Sequence, residues 1–475
     1  MSYETAVASM FALGHELAHT PSYKFDLAHM RVLLNAMHHP EQAFRSALIA
    51  GTNGKGSTAA TLASILQASG LRTGLYTSPH LMRINERIRI DGEEIGDAEF
   101  ADLHSEIDCV AEQLIQERKL PWHPSFFEMM TAIAFAYFAR KQIEIAVLEV
   151  GMGGRLDATN VVEPSISVIA DISLDHQKFL GNTVAEIARE KVGIIRPGGV
   201  VVTLSQQPEA NDVIGHAILD LGARGVSAVE YVPPVSPGST QYSEPSAAMN
   251  TSNLKSSSML QAASDLIKDE PIPRDLILRY PLQVRGKQIL VESPLAGRHQ
   301  LRNVALAIAA ASELFRQGFT QVTAESIERG IRQTRWPGRF QVLPARAGWP
   351  EMVLDVAHNP AGAWALRSTL SQRYDNRPFI FIFGAMRDKA IAEMTEILFP
   401  LAERVIVTRP SNPRSASPEE IRRAGSRTGT EIEKIPDIGA ALARARTRAT
   451  PQSVIVVWGS IYLVGEVMTT LGITA

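Results

Sequence analysis

One cysteine, Cys109, occurs in 475 residues, so neither a disulfide within the chain nor a cysteine-rich metal site is possible. That fits a reducing compartment. Charge of one sign is lacking too: 47 Lys and Arg against 50 Asp and Glu leave a formal net charge of −3. No basic excess points to nucleic acid, and no charge block reads as an interaction tail. Apolar runs are too short or too interrupted to span a bilayer. Met1-Ser2-Tyr3-Glu4 lacks the basic-then-apolar order of a secretory signal. No internal repeat is evident. The expectation is a cytoplasmic enzyme with no nucleic-acid or membrane partner. At 475 residues it needs more than one ordinary core, hence two or three domains.

Short apolar runs alternate with helix-like segments over most of the length, which predicts an α/β fold with largely parallel sheets. Strands are expected at Ala47–Ala50, Thr73–Thr77, Ile145–Val150, Ser165–Ile172 and Val200–Leu204, with helices between them. Arg87–Ile95 alternates around Asp91-Gly92 and predicts a hairpin. From Tyr231 to about Glu270 the composition turns to Pro, Ser, Asn and Gln, the mark of a surface insertion without chemistry. Order resumes with Val284–Glu292 and a helix from about His299 to Arg316. A second alternating block begins near Pro350, with strands at Met352–Val356, Phe379–Phe383, Val405–Thr408 and Val454–Trp458. Pro and Gly in Trp336-Pro337-Gly338-Arg339 mark the boundary, giving domains at 1–340 (with 231–270 as a mobile insertion) and 341–475.

The most informative segment is Leu48-Ile49-Ala50-Gly51-Thr52-Asn53-Gly54-Lys55-Gly56-Ser57-Thr58. An apolar strand stops at a glycine-rich turn, then a lysine and two hydroxyls precede a helix. Glycines let the backbone close so that N–H groups face phosphate oxygens near a helix N-terminus. Lys55 adds a point charge and Ser57 a hydroxyl for magnesium. Gly56 separates the two, a departure from the common G-x-x-x-x-G-K-[ST] form. A ligand-free glycine turn is the bland alternative.

Other polar groups fall at the carboxyl ends of expected strands, where open α/β sheets bind ligands. Glu149 interrupts an apolar run and needs a partner if buried, either magnesium or an ion pair with Arg155. His176 follows the next strand in Ser173-Leu174-Asp175-His176-Gln177. Lys191 lies on an amphipathic helix and by itself reads as solvated or ion-paired. His299 and Asn303 stand one turn apart at a helix start, which capping alone could explain. Arg339 offers a guanidinium suited to phosphate at the domain junction, and Asp355-Val356-Ala357-His358-Asn359-Pro360 ends a strand.

Taken in order, these segments resemble the folylpolyglutamate synthase/dihydrofolate synthase family within the Mur ligase group. The resemblance rests on Gly51–Ser57, Thr77-Ser78-Pro79-His80-Leu81, Phe126-Phe127-Glu128, Glu149–Asp157, Leu174-Asp175-His176, Glu190–Ile194, His299-Gln300, Trp336–Arg339, Ala357–Pro360, Phe383–Met386 and Gly459-Ser460. Val192 stands where alanine is usual, and Asp355-Val356-Ala357 replaces Asp-Gly-Ala.

The resemblance implies a P-loop ATPase domain and a smaller Rossmann-like C-terminal domain, with the active site in the cleft between them. It implies that Gly51, Thr52, Asn53, Gly54, Lys55, Gly56 and Ser57 hold the ATP phosphates, and that Asn303, Arg339 and Asp355 contact the nucleotide. Ser57 and Glu149 would serve one Mg2+ and His176 a second, aided by Lys191 as a CO2-derived carbamate. Thr77, Ser78, Pro79, His80 and Phe127 would line the folate pocket. His358 and Ser460 are linked to glutamate use or domain closure. The implied reaction is ATP-dependent joining of L-glutamate to dihydropteroate or a folate through an acyl phosphate, by a monomer. The alternatives are a single-activity folylpolyglutamate synthase, a Mur-type ligase acting on a UDP-linked sugar, a simple P-loop kinase or ATPase, and a non-catalytic nucleotide binder.

Overall fold

The computed structural model describes residues 1–14, 26–234, 277–346 and 348–473. Most of the stretch read at Tyr231–Glu270 lies outside them. The chain forms two compact units. The first takes Met1–Pro234, Pro281–Val291 and His299–Thr334; the second takes the remainder, chiefly Arg335–Ala475.

In the first unit, helices α1 (Tyr3–Ala12) and α2 (Leu27–Ala36) precede an eight-stranded sheet. Its strands are β1 (Arg45–Ala50), β2 (Thr73–Tyr76), β3 (Ile88–Ile90), β4 (Glu93–Glu94), β5 (Ile145–Glu149), β6 (Ile166–Ile169), β7 (Val200–Thr203) and β8 (Arg224–Ser227). They lie in the order β4-β3-β2-β5-β1-β6-β7-β8. All neighbours are parallel except β2–β3 and β3–β4, the hairpin expected at Asp91-Gly92. Five of the six β1 residues are buried, because helices cover both faces of a parallel sheet and alternation is lost.

The connecting helices are α3 (Lys55–Ala68), α4 (Asp97–Gln116), α5 (Phe126–Arg140), short α6 (Gln177–Leu180), α7 (Val184–Val192) and α8 (Pro208–Asp220). From β1 the chain crosses over β5 to β2, whereas from β6 it runs the other way. The strand order therefore reverses beside β1, and a crevice opens at the carboxyl ends of β5, β1 and β6.

The segment resuming near Val284 is a hairpin of β9 (Leu278–Val284) and β10 (Lys287–Ser293), turning at Arg285-Gly286 with φ of 50° and 77°. Helices α9 (Arg298–Arg316) and α10 (Ala324–Gln333) complete the unit. Gly330 has no room for a side chain, since a Cβ would run into the backbone of Ile65, and Ser64 Oγ donates to its carbonyl at 2.7 Å. That close approach docks α10 on α3.

The second unit holds β11 (Gln341–Leu343), β12 (Glu351–Asp355), β13 (Phe379–Phe383), β14 (Ala402–Val407), β15 (Ile432–Lys434) and β16 (Val454–Trp458), ordered β11-β12-β16-β13-β14-β15. Only β11 is antiparallel. Helices α11 (Pro360–Arg373), α12 (Ile391–Leu398), α13 (Pro418–Ala424), α14 (Ile438–Arg448) and α15 (Ile461–Thr470) connect them. The unit changes at Thr334/Arg335, ahead of the 340/341 boundary read from sequence. The reason is pairing: Gly338 accepts the Val356 N–H at 2.9 Å, which ties the Trp336–Arg339 segment to the end of β12. Among the described residues no helix is long and apolar enough to cross a membrane.

Candidate functional site

The phosphate-loop candidates follow β1 directly. Gly51 must be small, because a Cβ there would lie 2.8 Å from that of Ala170. The backbone N–H groups of Thr52 and Asn53 donate to the carbonyl of Asp171 at 2.8 and 3.1 Å. Thr52 Oγ1 donates to the Ser173 carbonyl at 2.9 Å and accepts the Ser173 N–H at 3.1 Å. Asn53 Nδ2 donates to Ser173 Oγ at 2.9 Å. These two residues thus shape the loop against the exit of β6, with their own N–H groups already engaged. Gly54, at φ 81°, turns the chain into α3, whose first intrahelical bond runs from Thr58 N–H to Gly54 at 2.9 Å. The N–H groups of Lys55, Gly56 and Ser57 form the helix N-terminus that can receive an anion. Lys55 Nζ donates to the Thr52 carbonyl at 3.4 Å.

Asn303 comes from α9 to the same loop. A Cβ on Gly54 would collide with its Oδ1, while its Nδ2 donates to Gln300 Oε1 at 2.8 Å. Its neighbour Arg302 grips Asp171 with Nε at 3.0 Å and Nη2 at 2.6 Å.

Glu149 ends β5 beside β1, in register with Ile49, and is 4 % exposed. Its Oε2 accepts the Ser78 N–H at 3.2 Å. Arg155 pairs instead with Glu190 at 2.9 Å, so the bland reading of Glu149 is not the arrangement found. His176 lies beyond β6 at φ 51°, its N–H donating to Asp175 Oδ1 at 2.8 Å and its Nε2 4.0 Å from Asp175 Oδ2.

Lys191 departs most from its sequence reading. It is 3 % exposed, and Nζ donates to the carbonyl of Gly51 at 2.8 Å. Burial first, then the positive charge of Lys55, pull its ammonium down from the usual lysine range to about 7. Among the described residues no group of three or more His, Cys, Asp or Glu is placed to hold a metal ion. The expected set does not depend on one, since it draws on a serine hydroxyl and a modified lysine.

The loop after β2 is held from several sides. Thr77 N–H donates to Arg87 at 3.0 Å, and the Glu86 carboxylate accepts the N–H groups of Leu81, Met82 and Arg83 at 2.7, 2.8 and 2.7 Å. The Ser78–Pro79 peptide is cis. His80 Nδ1 accepts Arg87 Nε at 2.8 Å, and an arginine can only donate, so this nitrogen carries no proton. Arg87 also lies 5.1 Å over the ring of Phe126, which stacks on Phe11 at 5.8 Å. Phe127 turns to the other loop: a Cβ on Gly151 would sit 2.5 Å from its ring.

In the second unit, Asp355 ends β12 buried, with Oδ2 accepting Phe340 N–H at 2.9 Å and Oδ1 accepting Ala357 N–H at 2.8 Å. Burial pushes its carboxyl up, and the Ala357 N–H and the Arg339 charge oppose that. His358 Nδ1 donates to the Val356 carbonyl at 2.9 Å. Ser460 follows β16, the neighbour of β12, and caps α15 by accepting the Tyr462 N–H at 3.1 Å.

Sequence reasoning missed Asp171 and Ser173, which build the phosphate loop through a carbonyl and a hydroxyl and carry no motif. Thr58, the second hydroxyl of that segment, was given no role; its Oγ1 is buried with no hydrogen-bond partner among the described residues. Asp157 stood inside a quoted motif without a role. Its carboxylate accepts the Met152 N–H at 3.0 Å and Thr159 Oγ1 at 2.6 Å, organising the loop after Glu149.

Residues 338–461 match the family described as Mur ligase, glutamate ligase domain. The dihydrofolate synthase/folylpolyglutamate synthase of Bacillus subtilis is 31 % identical over 93 % of this chain and 94 % of its own length. The folylpolyglutamate synthase of Lacticaseibacillus casei is 34 % identical over 93 % and 94 %. The chain belongs to the folylpolyglutamate synthase/dihydrofolate synthase family. Among solved structures, Mycobacterium tuberculosis folylpolyglutamate synthase complexed with ADP and AMPPCP aligns with a TM-score of 0.78 at 28 % identity, covering 99 % of both chains. E. coli FolC in complex with DHPP and ADP gives 0.76 at 25 % identity, covering 99 % of this chain and 98 % of its own.

Proposed function

We propose that this protein joins L-glutamate to a pterin-linked carboxylate at the expense of ATP, acting on both dihydropteroate and folates. One juxtaposition carries the reading. At the carboxyl edge of β5 and β1, an anion-ready helix start, Lys55–Ser57, lies next to a buried carboxylate, Glu149, whose oxygen also holds Ser78 of an aromatic-flanked loop. Phosphates and an organic acid thus have adjoining places.

The chemistry follows from that arrangement. The N–H groups at the start of α3 and the Lys55 ammonium hold the triphosphate and offset charge as the γ-phosphoryl moves. A substrate carboxylate oxygen attacks the γ-phosphorus, the bond to ADP breaks, and an acyl phosphate forms. The amine of glutamate then attacks the acyl carbon, loses a proton and expels phosphate. Thr77–His80 and Phe127 position the pterin-linked acid. Asn303, Arg339 and Asp355 serve the nucleotide, and His358 and Ser460 the glutamate side.

Ser57 and Glu149 offer the oxygen donors that magnesium takes and would hold it, while His176 stands at the same edge of the sheet. Magnesium bound there supplies positive charge against the phosphates. Lys191, with an amine that is substantially neutral near pH 7, is suited to add CO2 at nitrogen with loss of a proton, giving a carboxylate-like ligand.

The test is ADP release with Mg-ATP and L-glutamate, run in parallel with dihydropteroate and tetrahydrofolate. Turnover with both is expected. Turnover with one assigns a single activity, and glutamate-independent release overturns the reading.

A further inference from the structure

His29 belongs to none of the sites above, yet it is 8 % exposed and tied to one of them. It sits in the first turn of α2, after Asp26, whose Oδ1 caps the helix on Ala28 N–H at 2.8 Å. Its ring lies between two acceptors. Nδ1 is 2.9 Å from Glu128 Oε1, and Nε2 is 3.1 Å from the carbonyl oxygen of Trp122. A carbonyl oxygen only accepts, so Nε2 carries a proton.

Glu128 is the third residue of α5. Its Oε2 accepts both the N–H and the hydroxyl of Ser125, at 2.8 and 2.7 Å, in a capping box at the positive end of the helix. The Glu128 oxygen facing the ring is a hydrogen-bond acceptor, so Nδ1 also donates. The ring is therefore an imidazolium, and it stacks on Trp122 at 5.7 Å. Two residues before Glu128 the same helix start carries Phe126 and Phe127. On its other side α2 packs against the turn Ala158–Val161 that Asp157 caps.

We propose that His29, as an imidazolium, is a positioning residue for the pterin-linked substrate: it fixes Glu128 and so the helix start that presents Phe126 and Phe127. The proposal rests on the reading that Phe127 borders the substrate pocket. The charged groups bearing on the ring are Glu128 of α5 and Asp26 of its own helix. His123, from the same turn as Trp122, is engaged by Asp108 of α4 at 3.0 Å. Burial pulls the imidazolium down, but the Glu128 hydrogen bond and charge and the Trp122 carbonyl outweigh it, leaving the group raised above its ordinary value. Its contribution is thus complete below about 6.5, the unfolded value, and is lost as pH rises through the folded value.

The experiment is steady-state kinetics of wild type, His29→Gln and Phe127→Ala across pH, with His-selective 15N NMR of the wild type. Glutamine donates to one acceptor but cannot present two N–H groups on opposite sides. His29→Gln is expected to raise KM for the pterin-linked substrate roughly tenfold, as loss of one charge-assisted bond implies, with KM for ATP within about twofold. In wild type that KM is expected to rise toward alkaline pH, a rise expected to be absent from the variant, and both ring nitrogens of His29 are expected to be protonated at neutral pH. A neutral ring at that pH, or an unchanged KM in His29→Gln while Phe127→Ala raises it, overturns the role of His29 alone. An unchanged KM in Phe127→Ala overturns the pocket assignment and this proposal with it.

Discussion

Lys191 Nζ donates to the carbonyl of Gly51 at 2.8 Å, which joins a helix 140 positions along the chain to the first glycine of the phosphate loop. The amine is buried and lies near another positive charge, Lys55. Both features favour its neutral form.

Lys191→Met tests this through pH. The folded pKa, about 7, lies below the ordinary lysine value near 10.4, so between them the unfolded state binds more protons and stability rises with pH. The burial cost is complete below about 7. The variant is expected to gain more in Tm over wild type at pH 6 than at pH 9, and to lose at least about a hundredfold in ADP release. Equal Tm differences at both pH values would contradict the buried-amine account.

Gly54→Ala asks the loop to hold a side chain at φ 81° that collides with Asn303 Oδ1. A loss of about 1–3 kcal/mol by denaturant unfolding is expected, with weaker ATP binding. Adding Asn303→Ala is expected to restore part of the stability and none of the ATP affinity. Full recovery of both would remove Asn303 from the nucleotide site.

Glu149→Gln keeps an acceptor for the Ser78 N–H and removes the charge. Tm is expected to stay close to wild type while the Mg2+ concentration for half-maximal activity rises at least about tenfold. A magnesium titration decides it, and an unchanged midpoint would leave Glu149 a structural residue.

Asp355→Asn replaces one of two acceptor oxygens that now receive Phe340 and Ala357 N–H groups. The donor left unpaired is expected to cost about 1–3 kcal/mol, measured by unfolding, together with weaker nucleotide binding by calorimetry. Wild-type stability would show that the loop after β12 does not depend on this carboxylate.

The parallel strands were legible because each is a short apolar run between breakers: Phe379–Phe383 and Val454–Trp458 match their reading residue for residue. The strand–turn–helix geometry at Gly51–Ser57 was legible as well, since Gly54 serves a local turn. The partners of those residues were not. Asp171 acts through a backbone carbonyl, which any residue possesses. His29 belongs to no motif, and only the fold brings Glu128 and the Trp122 carbonyl to its two ring nitrogens.

The sequence by itself determined the α/β class, the strand–turn–helix start at Gly51–Ser57 and the family resemblance, because propensity, apolar periodicity and motif spacing are properties of neighbouring residues. The tertiary structure alone decided which distant groups meet: Lys191 with Gly51, Glu149 with Ser78, Asn303 with Gly54, and His29 with Glu128. Those meetings set charge, protonation and available space, and they follow from strand order and burial, which chain position does not encode.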